Sequence, residues 1–465
     1  MKRTHLRNRT TGAVVLSGAF VLLLILSSMG SVFAFTLPPT PPPPPKASVV
    51  IGQADFNSSV QAGGPAGIGF SDYIAVDKSG NLWVSDSQNG WVSEFTPPFA
   101  NDESATMEVG AANFSSGRCT TGNALCEPSA IAFDPSGNLW AADGQNASVQ
   151  EFKAPFSLGE NSSVLLGGFY LDHPPNATNF GASGLAFDPS GNLWLADPGF
   201  SRILEFAPPF TNRQSASLVI GQSDFTSNSN SNNQSMLNDP NAVTFDSSGN
   251  LWVADTGDNR ILEFKAPFSN GESASVAIGQ PNLSSTLANT TQSTLDSPEG
   301  ISFDTHGNLW VADTDNDRVV EFVPPFATGM NATVVLGQDS YFFSGEATSQ
   351  TSLIGPESVA AASGGNLWVD DTENYRVLLF TDPASAASST TSSTSLTLTL
   401  PTSSASTVTA PSTTTGSSTV LTSGTSTTTS QSVPAFPYQL AVAGAFILVL
   451  AGAYILMRRR TLLKI

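Results

Sequence analysis

The phrase Gly-Asn-Leu-Trp, followed three residues later by Asp, occurs six times in this chain and limits the fold more than any other feature. Its tryptophans are Trp83, Trp140, Trp194, Trp252, Trp310 and Trp368, spaced by 57, 54, 58, 58 and 58 residues. Self-similarity at such a period belongs to stacked or radially arranged units, each unable to bury its apolar face alone. One full copy, residues 240–279, reads as four short strands. Ala242 to Asp246 alternates apolar and polar, Ser247 to Asn250 is a turn, and Leu251 to Asp255 is a second strand. Arg260 to Phe264 is a third, and after a Pro267-Phe268 corner Ala274 to Gly279 is a fourth. Short strands with regular Gly/Asn/Asp punctuation predict an antiparallel meander. Six such sheets must cover one another's faces. Set around an axis, they give an all-β, six-bladed β-propeller with four-stranded blades.

The ends of the array show how the ring closes. The fourth-strand phrase recurs at Ile51-Gly52, Val109-Gly110, Leu166-Gly167, Ile220-Gly221, Ile278-Gly279 and Leu336-Gly337. Its first copy precedes the first repeated tryptophan, and no copy follows the last. The Pro-Phe corner is present at Phe99, Phe156, Phe210, Phe268 and Phe326 but absent after Phe380. The last sheet is therefore one strand short while the N-terminal side has one to spare. Ser48 to Gly52 is expected to pair with Arg376 to Phe380.

These segments resemble NHL repeats, which form six-bladed propellers. The resemblance rests on Pro298-Glu-Gly-Ile-Ser-Phe-Asp304, Gly307-Asn-Leu-Trp-Val-Ala-Asp313 and Asp317-Arg-Val-Val-Glu-Phe322, and recurs over residues 48–380. Blades 1 and 2 depart from it, with Trp91 and Ser148 at the Arg position, and blade 6 has Ala362 in place of the first Asp.

The flanks predict where the chain sits. Residues 1–34 read as a signal peptide or uncleaved anchor: Lys2, Arg3, Arg7 and Arg9 precede an uncharged stretch ending at Val32-Phe33-Ala34. A Pro-rich spacer, 35–47, leads to the propeller at 48–384. The Ser/Thr-rich tract 385–436 lacks the apolar content to fold and matches a disordered, O-glycosylated stalk. Residues 437–457 are long enough for a transmembrane helix, and the basic tail 458–465 would stay cytoplasmic. Propeller and stalk would then be extracellular, on a single-pass cell-membrane protein.

Charge narrows the partners. All 38 acidic residues fall between residues 46 and 384, beside ten Lys and Arg, a formal −28 for that stretch. Phosphate backbones are held chiefly by cationic contacts, so no nucleic acid is expected to bind. Asn57, Asn113, Asn146, Asn161, Asn176, Asn233, Asn282, Asn289 and Asn331 head Asn-x-Ser/Thr sequons and are candidate glycosylation sites. In an oxidising exterior Cys119 and Cys126, the only cysteines, are expected to form one local disulfide.

Candidate chemistry is sparse. The aspartates closing the Trp strand are Asp86, Asp143, Asp197, Asp255, Asp313 and Asp371. They could ring a channel around a cation, or each could cap its own turn. In four blades an Arg follows five residues on, predicting the pairs Asp197–Arg202, Asp255–Arg260, Asp313–Arg318 and Asp371–Arg376. Asp313, Asp315 and Asp317, with Asn316, have the alternate-oxygen spacing of a calcium loop. They lack the glycine and distal Glu of an EF-hand, and no other cofactor is expected. His5 lies in the signal region, His306 in a turn, and only His173 on the long-loop face. Similar six-bladed lyases and lactonases use metals, or His and Glu converging at the channel mouth. The expectation is therefore a non-catalytic ectodomain that binds a protein, peptide or glycan through the loops between fourth and first strands. Alternatives are a calcium-dependent lactonase- or lyase-like enzyme and a surface-coat component.

Overall fold

The computed structural model describes residues 44–111, 114, 125–168, 174–230 and 232–388. Six four-stranded antiparallel sheets form the blades. In blade 4 the order is Pro240–Phe245, Leu251–Asp255, Arg260–Phe264 and Val276–Ile278, each pairing with the next. The first strands of neighbouring blades pack on one another around the axis. Blade 6 is completed from the other end of the chain: Ala47–Ile51 pairs antiparallel with Arg376–Phe380, with Val50 opposite Leu378 and Ile51 opposite Val377. The closing strand is thus where its offset in the sequence placed it.

The repeated phrase has a physical reason in each part. Gly249, with φ +80°, turns the chain between the first two strands. Asp246 accepts the backbone N–H groups of Ser248 and Asn250 and, on its other oxygen, the side chains of Asn250 and Trp252. The indole is thereby fixed at its polar edge and free to bury its rings. Trp252 packs edge-on to Phe303 and Phe326 of blade 5, at centroid distances of 5.6 and 4.8 Å. Trp368 does the same to Phe99 of blade 1, at 4.8 Å, so the aromatic wedge crosses the closure. Each such contact is worth about 0.5–1.5 kcal/mol beyond the area it buries.

The glycine after each fourth strand seats the long loop that follows. At Gly279, φ is +86° and an added Cβ would lie 2.5 Å from Leu295 Cδ1. The leucine of the returning loop therefore needs a residue with no side chain. Gly300 marks a second close approach: a Cβ there would meet the backbone oxygen of Glu357 at 2.5 Å. Adjacent first strands are that near to one another at the axis.

Among the described residues no helix is long and apolar enough to cross a membrane. The expected signal segment, stalk, transmembrane segment 437–457 and tail all lie outside the described residues. So do His173, Asn113 and Cys119. Cys126 is described and buried.

Candidate functional site

The long loops between fourth and first strands gather on one face, and a repeated polar device holds them. Arg202, Arg260, Arg318 and Arg376 are fully buried, and each Nε donates to its aspartate at 2.6–2.8 Å. The rest of the guanidinium donates to two loops at once. Arg318 Nη1 reaches Tyr341 O in the loop after its blade, at 2.6 Å, while Nη2 reaches Thr291 O and Thr294 O in the loop before it, both at 2.9 Å. Asp258 adds a second carboxylate to Arg260, at 3.0 Å.

The expectation that each aspartate caps its own turn is corrected in blades 4, 5 and 6. There the short 3₁₀ turn receives no side-chain cap from Asp255, Asp313 or Asp371. The carboxylate instead accepts the backbone N–H of Asn238, Asp296 or Ile354, seventeen residues upstream. The competing donors, a buried guanidinium and a loop amide, are better placed than the turn's own N–H groups. Blades 1 and 2 lack the Arg. Their Asp86 and Asp143 do accept within the turn, from Asn89 and Asn146, and also hold the loop before the blade through Gly69 and Cys126. None of the six lines the cavity at the axis.

The calcium spacing at Asp313, Asp315 and Asp317 does not become a ligand set. Asp313 is spent on Arg318, Asn316 and the Asp296 amide; Asp315 accepts from Ser297 Oγ; Asp317 accepts the Gly355 N–H. Alternation along a turn sends these oxygens to different neighbours. Among the described residues no group of three or more His, Cys, Asp or Glu could hold a metal ion.

A second loop device escaped the sequence reading. Gln53, Gln222, Gln280 and Gln338 follow the fourth-strand glycines and are buried. Gln280 donates to Asn259 O and Leu287 O and accepts the Leu287 N–H; Gln222 and Gln338 repeat the pattern at the same offsets, and Gln53 repeats it across the ring closure, donating to Val60 O and Tyr375 O. Four of the six loop starts are therefore pinned by a buried amide.

The sequons spread over this scaffold unevenly. Asn57, Asn161, Asn233, Asn282, Asn289 and Asn331 are exposed, and Asn176 is half-buried. The Asn146 amide nitrogen, the atom a glycan would join, already donates to Asp143 Oδ2 at 2.8 Å and Cys126 Sγ at 3.2 Å.

A cavity of about 270 Å³ opens at the axis, lined by Asp72, Tyr73, Ser129, Ser183, Asn241, Glu299 and Glu357. Apart from Tyr73 these are one position repeated in six blades, the residue before or at the start of each innermost strand, directly after the long loop. The cavity is thus the channel mouth on the loop-rich face. The variable second residue of the first-strand phrase, Glu299 in Pro298-Glu-Gly300, was its only trace in the sequence.

The lining is asymmetric. Blades 5, 6 and 1 contribute Glu299, Glu357 and Asp72, while blades 2, 3 and 4 contribute Ser129, Ser183 and Asn241. Burial pushes the Asp72 carboxyl up to about 7, the Ser87 hydrogen bond opposes it, and Asp86 and Glu127 add to the rise. Glu299 is raised by burial and then by Asp315, Asp72 and Asp239; Glu357 by burial and then by Glu299, Asp72, Asp370 and Glu373. Asp370, fully buried behind them, is raised by burial against the Ser71 hydrogen bond, with Asp72, Asp371 and Asp86 adding. Raised folded-state values stabilise the protein below the ordinary carboxylate range and lose that contribution as pH climbs through the folded values. The melting temperature is therefore expected to fall between about pH 4 and 8, and Glu299→Gln should flatten the slope. A melting temperature that rises over that interval would contradict the assignment.

A search of curated proteins found no match. Among solved structures the chain is similar to a catalytically inactive variant of virginiamycin B lyase from Staphylococcus aureus, with quinupristin. That match has 14% identity, 70% of this chain and 87% of that one covered, and a TM-score of 0.40. It is also similar to an auxiliary nutrient binding protein from Bacteroides ovatus, with 14% identity, 72% and 76% covered and 0.44. A third is Kuenenia stuttgartiensis hydrazine synthase, with 12% identity, 69% and 97% covered and 0.42. Likenesses this distant support no inference about activity. The NHL repeat family model matches residues 237–264 and 295–322, the first three strands of blades 4 and 5 with the end of the loop before each. With four further blades built on the same pattern around one axis, the chain carries NHL repeats in a six-bladed β-propeller.

Proposed function

We propose that the protein is a non-catalytic binding module that takes a protein, peptide or glycan on its loop-rich face, centred on the channel mouth. The make-up of the cavity carries this reading. Among the described residues its lining contains no His, Cys or Lys. Its two serines are committed to backbone carbonyls, Ser129 Oγ to Ala182 O at 2.9 Å and Ser183 Oγ to Asn241 O at 3.0 Å. Nucleophilic catalysis needs a hydroxyl or thiol paired with a base and an orienting group, and none is assembled. Loops displayed on a packed scaffold around a concave mouth suit recognition instead.

The test uses peptide and glycan libraries probed with the whole chain and with Ser183→Trp, which fills the mouth from its neutral side. Capture by the parent alone, at equal melting temperature, is the expected result, with no lactone hydrolysis with or without calcium. Equal capture by both proteins would remove the channel mouth from the function. Calcium-dependent lactone turnover abolished by Glu299→Gln would establish the enzyme alternative.

The same reading places the propeller outside the cell on a stalk, held by the segment 437–457. Protease added to intact cells is expected to release a soluble propeller by cutting within 385–433; protection until lysis would reverse the orientation. A Cys119–Cys126 disulfide fits this exterior. Loop 110–128 follows blade 1 and precedes blade 2, the two blades whose Arg is replaced by Trp91 and Ser148. A disulfide would supply the missing tie, worth about 2–3 kcal/mol for so short a loop. Mass spectrometry finding both thiols free in protein secreted from cells would dismiss it.

A further inference from the structure

We infer that the channel mouth binds an organic ammonium ion, with the carboxylates of Asp72, Glu299 and Glu357 as counter-ions and Tyr73 as an aromatic wall. This deepens the binding-module reading and rests on it. The three carboxyl groups come from three consecutive blades, so one half of the mouth is acidic, while Ser129, Ser183 and Asn241 make the other half neutral and polar. Among the described residues no Lys or Arg lines the cavity. The four arginines nearest by position in the repeat are consumed by their own aspartates.

Asp370 is an independent sign that the acidic side serves something. It is completely buried; one oxygen accepts from Ser71 Oγ, and Oδ2 has no partner. The equivalent residues of the other blades are Ser85, Ala142, Ala196, Ala254 and Ala312, so the blade itself has no use for a carboxylate there. It stands in the same electrostatic group as Asp72 and Glu357. A buried carboxyl with an unpartnered oxygen is costly, and here it lies on the acidic side of the channel.

Size and spacing select the kind of cation. The carboxylates are not grouped as metal ligands, and about 270 Å³ is far more room than a bare ion fills. At about 30 Å³ per water the space equals roughly nine waters, enough for a small amine. Ammonium groups hydrogen-bond to carboxylates and lie favourably against an aromatic face. The hydroxyl and amide half can take the ligand's remaining polar groups. Because the mouth carboxyls hold protons near neutral pH, a bound cation should drive those protons off.

Titration calorimetry of the whole chain with putrescine and spermidine tests this, with 1,4-butanediol as the uncharged counterpart and calcium chloride as the metal alone. Saturable amine binding is expected, tighter at pH 8 than at pH 6, with proton release seen as a dependence of the heat on buffer ionisation. The triple variant Asp72→Asn, Glu299→Gln, Glu357→Gln should weaken it at least tenfold while raising the melting temperature at pH 8. Asp370→Ala should weaken it with the blade left folded. Equal binding of butanediol, retention in the triple variant, or calcium excluding the amines would overturn the proposal. If no amine binds yet Ser183→Trp still loses a library ligand, this inference fails and the binding module stands. An amine that binds and is chemically altered would sustain the ammonium site and refute the non-catalytic reading.

Discussion

Asp255→Ala is expected to destabilise the propeller by about 3–5 kcal/mol, several times the cost of a lost turn hydrogen bond. The reason lies in what the substitution leaves behind. Arg260 is fully buried, its Nε is 2.6 Å from Asp255, and it also donates to Leu283, Asn233 and Met236. Removing the carboxylate strands a guanidinium away from water, and breaking one side of a buried ion pair characteristically costs this much. Asp258 stays beside Arg260 and softens the loss. Asp313→Ala strands the buried Arg318 in the same way and should cost a similar amount. Urea denaturation of the parent and both variants decides the matter. The double change Asp255→Ala, Arg260→Leu should recover part of the loss, because the orphaned charge goes with it. A loss near the ~1 kcal/mol of an ordinary hydrogen bond in both single variants would mean that the pairs are wetter than their geometry implies.

Removing residues 36–52 should have the larger effect and abolish cooperative folding. Ala47, Val50 and Ile51 are buried at the closure. Burying a valine or isoleucine side chain contributes about 1.5–3 kcal/mol, and the deletion also removes every hydrogen bond from the strand to Arg376–Phe380. The Gln53 amide that ties Tyr375 to the loop goes as well, because Gln53 loses the strand that positions it. What remains is an open ring with a bare apolar edge, and domains of this kind have only about 5–15 kcal/mol in hand. Circular dichroism melting of the deletion variant is the measurement; an unchanged transition would mean that the ring closes by other means. Ile51→Ala, which keeps the strand, should give a partial loss of about 2–5 kcal/mol.

How much of this was legible beforehand can be traced residue by residue. Trp252 and its five counterparts were visible as a period, and a period of that length leaves few architectures. The missing fourth strand after Phe380 and the surplus one at Ser48 were visible as an offset, and only ring closure pairs them. The Arg after Asp was visible as a spacing of five, which two-residue alternation and a tight turn bring face to face across a hairpin: Asp255 stands opposite Arg260. These are all facts about order along the chain, and repetition lets order be read without coordinates.

What the loops and the axis do was not readable in that way. Whether an aspartate accepts its own turn's N–H as well as a loop amide seventeen residues back depends on which donors the folded chain brings near: Asp86 in blade 1 takes both, and Asp313 in blade 5 takes the loop amide and the guanidinium. The calcium-like spacing at Asp313, Asp315 and Asp317 dissolved because a turn fans successive side chains toward separate neighbours. The acidic mouth appeared only in three dimensions. Asp72, Glu299 and Glu357 lie up to 285 residues apart, and each occupies the variable position of a motif whose other residues drew attention. Sequence alone determined the blade, its number and its closure, because those follow from local pattern and repetition. Tertiary structure alone decided the site, because a channel is made by bringing one inconspicuous residue from every blade to the same axis.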